Sequence, residues 1–156
     1  MVLPQALAPM FAAAKRLSDR HATTGLQRAL ARLLADGSYD RHVRRIRRLQ
    51  HARQAALVTA LSRHLGGRVE VRGAASGLHV VAWFPELAAD DEPALAQAAR
   101  SRGVHVYPIG PFFLPGAEVP PRPAGLVMGY ALLEAGQIDA GVAALKVALD
   151  GVIGSR

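Results

Sequence analysis

The chain has 156 residues, 51% of them hydrophobic, no cysteine and a formal charge of +7. That length and apolar fraction allow a domain with a real core and exclude a disordered chain. The absence of thiols excludes disulfides and thiolate metal sites, and no apolar run is long enough to span a bilayer.

The opening, Met1 to Pro9, has no basic n-region and is broken by two prolines, so it reads as a poor signal peptide and the expected address is cytoplasmic. Residues 5–17 are rich in Ala and Leu and predict a helix after Pro4. Thr24 and Gln27 have the spacing of a capping box at the start of a second helix. Leu26, Leu30, Leu33 and Leu34 make its apolar stripe, and Gly37 is placed to end it. A longer helix is predicted from about Tyr39 to His64, closed by Gly66 and Gly67.

The period then changes. Val69 and Val71, and after them the run from Gly77 to Phe84, read as two strands joined through residues 73–76. Asp91, Glu92 and Pro93 open a helix to about Ser101, with Asp90, Asp91 and Glu92 suited to its positive N-terminal end. Val104 to Tyr107 reads as a third strand. Residues 108–123 contain six prolines and form a loop. Gly125 to Ala131 reads as a fourth strand, and residues 135–150 as a closing helix with Ile138, Val142, Leu145 and Leu149 on one side. The expected fold is therefore α+β. A helical segment over 1–65 precedes a core over 66–156, in which a mostly antiparallel four-stranded sheet is covered on one face by helices.

Charge is uneven along the chain. Residues 1–72 hold 14 Lys and Arg against 4 Asp and Glu, whereas residues 73–156 hold 5 against 8. The densest part is the long helix. At about 100° per residue, Val43, Ile46 and Leu49 share one side while Arg44, Arg45, Arg47 and Arg48 fan over the other, with Arg41 one turn earlier. Such a face suits phosphate, because guanidinium groups make bidentate, charge-assisted contacts. It equally suits a solvated or domain-facing surface, with each arginine lying along its own apolar stem. No zinc ligand set or base-stacking aromatic set accompanies it.

Other chemistry is sparse. The six histidines form no HExxH pattern or close ligand pair, and no serine lies in a Gly-x-Ser-x-Gly elbow. His79 alternates with Leu78 and Val80 on its strand, which places it either in the core, the favoured reading, or facing a cleft. Trp83, Phe84, Tyr107, Phe112 and Phe113 are expected as core and loop-packing residues.

The run Gly37-Ser38-Tyr39-Asp40-Arg41-His42-Val43-Arg44-Arg45-Ile46-Arg47-Arg48, with Leu26 to Ala31 before it and Arg53 after it, resembles the aminotransferase-like region of MocR-type regulators. There, Q-x-A-L-A followed by G-x-Y-x-R-H-[I/L]-R-R-M-R recurs in this order. Ser76-Gly77-Leu78-His79 is similar to the family's A-G-L-H strand. Gly103 to Pro108 is similar to its G-V-x-V-x-P strand, and Gly125 to Ala131 to its L-x-L-G-[F/Y]-A strand. Ile138, Gly141 and Val142 match its closing helix. The similarity spans about Leu3 to Val152.

The resemblance implies the C-terminal, small subdomain of a fold-type I region that binds pyridoxal phosphate (PLP). In the parent family that region follows a GntR-type winged-helix DNA-binding domain. It implies a missing large PLP domain and a second subunit as partners, DNA contact only through the separate winged helix, and exposed surface prone to self-association. The family's Schiff-base lysine motif, S-K-x-x-x-P-x-x-R-x-G-Y, has no match here, since neither Lys15 nor Lys146 has its flanks. No catalytic, cofactor-binding or metal residue is therefore expected in this chain, and PLP is expected only in the parent. Val127 stands where aminotransferases place their substrate-carboxylate arginine, which leaves Arg122, five residues earlier, as a substitute or a surface residue. A small domain of a true aminotransferase, or a freestanding basic module using the 41–53 arginine face, are the other readings.

Overall fold

A computed structural model describes residues 3–18, 23–73, 77–114 and 121–155. The joint at residues 74–76, part of the proline-rich loop, and His21 lie outside them. The chain divides into two compact units, Met1–Ile46 and Arg47–Arg156.

The first unit holds a single 3-10 turn, Gln5–Leu7, then α1 (Ala8–Ser18), α2 (Thr24–Ala35) and the start of α3 (Ser38–Leu65). The two helices expected before the long one are both present. Gly37 takes a left-handed φ of 70° after α2, a conformation that glycine adopts without steric cost. The capping box expected at Thr24 does not form. Thr23 occupies the N-cap without a side-chain bond, and Thr24 is already the first helical residue. Neither α1 nor α2 has a buried residue. Leu26 and Leu34, for example, are 73% and 54% exposed. The apolar stripe of α2 is thus formed as the sequence spaces it and left uncovered.

The second unit begins inside α3. The cause is packing: Leu57, Ala60, Leu61 and Leu65 are buried and belong to the same core as the sheet. Four strands follow in the spatial order β1-β2-β4-β3, every neighbouring pair antiparallel. They are β1 (Glu70–Arg72), β2 (His79–Ala88), β3 (Tyr107–Pro108) and β4 (Pro123–Gly129), with α4 (Glu92–Arg100) after β2 and α5 (Ala135–Gly154) at the end.

Register explains the core. Val80 pairs with Met128, Ala82 with Leu126 and Phe84 with Ala124, and all six side chains are buried. Side chains alternate along a strand, so residues 79, 81, 83, 125, 127 and 129 face the other way. The buried face meets Leu95 and Ala99 of α4, Ile138, Val142, Leu145 and Leu149 of α5, and the end of α3. The C-terminal half of α3 therefore joins the two expected covering helices.

Several expectations change in detail. The third strand is only two residues long, Tyr107–Pro108: it starts late, with the Val104 N–H held by Ala99 O at the end of α4 at 3.0 Å, and past Pro108, which has no N–H, Ile109 donates to Gly125 O at 3.0 Å. Pro85 lies where the β2–β4 register shifts, between Phe84 and Ala88. His79 is exposed and not a core residue, because the even positions of β2 face inward. The same alternation turns Trp83 away from the core and Phe84 into it; of the five aromatics only Phe84 is fully buried, while Tyr107 and Phe112 are 62% and 69% exposed. At α4 the three acidic residues do not act together as a cap. Asp91 Oδ2 accepts from Ala88 N at 2.7 Å, whereas Glu92 turns inward and is buried. A comparable bond opens α5, from Glu134 N–H to Gln137 Oε1 at 2.9 Å.

Candidate functional site

The face of the sheet that the helices leave open carries Arg72, His79, Val81, Trp83, Tyr107 and Val127. Glu70, opposite Trp83, and Gly125 and Gly129 complete it. A Cβ on Gly125 would lie 2.7 Å from Ile109 Cγ2 and 2.9 Å from two carbons of the Trp83 ring, so the indole lies across this glycine. The guanidinium carbons of Arg72 and Arg122 are each 5.7 Å from the Trp83 ring centroid, and that of Arg122 is 4.8 Å from the Phe113 ring.

Arg122 is neither a surface arginine nor an open fork. Its side chain is 15% exposed and its Nη1 donates to Glu92 Oε1 and to Pro123 O. Glu92 is 2% exposed and also accepts from Gly110 N and Gly125 N, both at 2.9 Å. One carboxylate thus joins the start of α4, the loop after β3 and the first half of β4, and its charge is matched by Arg122. Nothing in the sequence marked Glu92 apart from Asp90 and Asp91; pairing with a residue 30 positions away exists only in the folded chain. Val127, at the position where the resemblance puts a carboxylate-binding arginine, sits half-buried between Val81 and Tyr107. Beside Arg122 a smaller cleft of about 420 Å³ is lined by Ala88, Asp90, Gly110, Phe113 and Pro121.

A second cavity, of about 570 Å³, lies elsewhere in the second unit. Leu57 of α3, Val106, Met128, Leu132 and Ile138 give it apolar walls. Leu132 is 91% exposed at its rim.

The arginines of α3 are spread along the helix. Arg41 is tied locally, donating to Asp36 O and, at 2.9 Å, to Ser38 Oγ. Arg44, Arg45, Arg47 and Arg48 are exposed. Arg53 and Gln50, one and two turns before the buried end of the helix, reach the main chain after β4: both donate to Ala131 O, Gln50 Nε2 at 3.1 Å. In the sequence Arg53 stands out only as part of a motif, since its partner lies 78 residues away.

Lys146 is paired with Asp150 at 2.8 Å on α5, and Lys15 lies on α1 in the first unit. The open sheet face has no lysine, and Arg122 already serves a carboxylate. The described residues do not form a PLP site. They also contain no group of three or more His, Asp or Glu placed to hold a metal ion. No described helix is long and apolar enough to cross a membrane.

The whole chain superposes on part of a known class of enzyme. It matches the α-aminoadipate aminotransferase LysN of Thermus thermophilus, solved with N-(5'-phosphopyridoxyl)-L-leucine, with a TM-score of 0.77 and 28% identity, covering 100% of this chain and 38% of that one. It matches the multiple substrate aminotransferase of Thermococcus profundus with a TM-score of 0.79 and 21% identity, over 92% of this chain and 34% of the other, a likeness of fold alone. The fold is therefore that of the aminotransferase small domain.

In sequence, the chain is 32% identical over 157 residues to YhdI, an HTH-type transcriptional regulator of Bacillus subtilis, covering 99% of this chain and 32% of that protein. It is 31% identical over 148 residues to the probable rhizopine catabolism regulatory protein MocR of Rhizobium meliloti, over 95% of this chain and 29% of the other. No family model matches. The homologues of this aminotransferase-like chain are thus MocR/GntR-type transcriptional regulators. The chain spans about a third of the length of these relatives.

Proposed function

We propose that this chain is the small subdomain of a PLP-dependent, aminotransferase-like transcriptional regulator, and that it is catalytically inert by itself. The observation that carries the proposal is similarity along nearly the whole chain to regulators about three times its length. In this reading the rest of the polypeptide brings the Schiff-base lysine, the cofactor and a winged-helix domain for DNA. A second subunit completes a homodimer in the cytoplasm.

The uncovered stripe of α2 supports it, because isolated amphipathic helices keep such faces for a partner. The exposed arginines Arg44, Arg45, Arg47 and Arg48 face the remaining polypeptide or solvent in this reading, and DNA contact is left to the winged helix. Arg122 holds the loop around Glu92 and binds no substrate carboxylate. With Val127 on the open face, the parent's ligand is held by residues outside this chain or carries no α-carboxylate to be gripped here.

PLP, where bound, supplies an electron sink for chemistry at an amine. This chain's own part is to present the Trp83 face and to move as one body with α3.

An immunoblot of source cells with an antibody raised against this chain tests the proposal. A band about three times the 16.5 kDa of the chain is expected. A band at 16.5 kDa, or saturable PLP binding by the purified chain followed by an absorbance change, would overturn it.

A further inference from the structure

The middle of α3 is held to the sheet by polar contacts and not by burial. Leu57 is the first α3 residue with a buried side chain, and of the apolar residues from Arg47 to Ala56 only Ala56, at the end of the stretch, packs partly against the core. Within that stretch Gln50 and Arg53 both donate to one acceptor, the Ala131 carbonyl.

That carbonyl lies at a crossing point of the fold. Tyr130, the residue before it, is 1% exposed; its hydroxyl donates to Gly77 O at 2.7 Å and its N–H to Leu78 O at 3.3 Å, fixing the end of β4 to the start of β2. Ala131 and Leu132, with Leu57 across from them, line the 570 Å³ cavity. A second tie lies nearer the end of α3, where Arg63 and His64 meet Asp139 of α5, His64 Nε2 at 2.8 Å.

We propose that Gln50 and Arg53 form a clamp on the Ala131 carbonyl that makes the Arg47–Ala56 stretch of α3 move as one body with the corner after β4. Both are positioning residues that act through a main-chain oxygen. The clamp gives a physical route by which a shift at the wall of the cavity enters α3 and carries Arg47 and Arg48 with it. This route rests on the reading of the chain as the mobile subdomain of a regulator, whereas the clamp itself is a property of the chain alone.

Hydrogen–deuterium exchange on the purified chain tests it. Removing a charge-assisted hydrogen bond lowers the local opening free energy enough to raise exchange about tenfold or more. Arg53→Met, which keeps the stem and removes the donors, should raise exchange in peptides covering 47–56 by that amount. Peptides covering 142–149 should keep wild-type protection and report that the core is intact. Gln50→Leu should do the same to a smaller extent, and Arg53→Lys, which keeps a donor, should restore much of the protection.

Unchanged exchange over 47–56 in Arg53→Met would overturn the clamp. An equal rise over 47–56 and 142–149 would also overturn it, since that is global destabilisation. Neither result alters the native size of the polypeptide, so failure of the clamp and failure of the functional reading are told apart.

Discussion

Glu92 provides the sharpest test of the packing, because one buried carboxylate serves three donors on three parts of the chain. In Glu92→Ala the N–H groups of Gly110 and Gly125 lose their acceptor, and the Arg122 guanidinium is left between two aromatic rings without its counter-charge. Breaking a buried pair by removing one partner costs about 3–5 kcal/mol. Arg122 keeps some exposure, so it can recover water, and the lower end of that range applies.

Such a loss is a large part of the whole, since domains are stable by only about 5–15 kcal/mol. Glu92→Gln, which keeps an acceptor, should cost less and keep the fold measurable. Urea unfolding followed by circular dichroism gives the free energies, and a cycle with Arg122→Met separates the pair from the two backbone bonds. The double variant should be more stable than Glu92→Ala predicts by simple addition. A Glu92→Ala chain within about 1 kcal/mol of wild type would refute the assignment of Glu92 as the hub, since even two stranded N–H groups cost more than that together.

Three further perturbations follow from the same structure. Gly125→Ala forces a methyl against Ile109 and the Trp83 ring and should cost about 1–3 kcal/mol by overpacking, with a shift in the emission of the chain's one tryptophan; unchanged stability and emission would mean the indole does not lie there. Leu61→Ala, at a position with no exposure, should cost about 2–5 kcal/mol in the same unfolding assay, and a negligible loss would separate α3 from the core of the second unit. The third concerns acid. Arg68 donates to Glu86 and Asp150 at 2.6–3.0 Å. Arg68 holds Glu86 below its ordinary value of 4.5, and Lys146 with Arg68 holds Asp150 below 3.8. Carboxylates that titrate lower when folded add stability above their unfolded values and lose it as the pH falls through the folded ones. The melting temperature of wild type should therefore drop below about pH 4.5, and Arg68→Ala should flatten that drop. An acid limb of equal depth in both would show that this cluster contributes nothing to it.

Much of the fold was legible because it rests on local periodicity. The leucines of α2, the core positions 138, 142, 145 and 149 of α5, and the alternation in β2 each state a period that the backbone can satisfy in one way. Left-handed glycine at 37 is likewise a local requirement. Local rules failed where two competed, as at Thr24, where Thr23 one residue earlier takes the cap, and at Val104, whose N–H goes to Ala99 O at the end of α4 and not to a neighbouring strand.

The order of ordered blocks from Leu26 to Val142 pointed to the family before any geometry was known, because motif order survives without contacts. The site itself was less legible. His79 and Trp83 were expected inside, and only the register that pairs Val80 with Met128 decides that the odd positions of β2 face outward. Arg122 and Glu92 are ordinary charged residues in sequence, 30 positions apart, and become a buried pair only when the loop after β3 folds onto α4. Gln50, Arg53 and Ala131 meet across nearly 80 residues. The sequence alone determined most of the elements, their periodicity and the kinship, since these depend on neighbours within a few turns. Which face is buried, which charges are neutralised and how α3 is tied to the sheet depend on chain segments brought together from far apart, and only tertiary packing decided them.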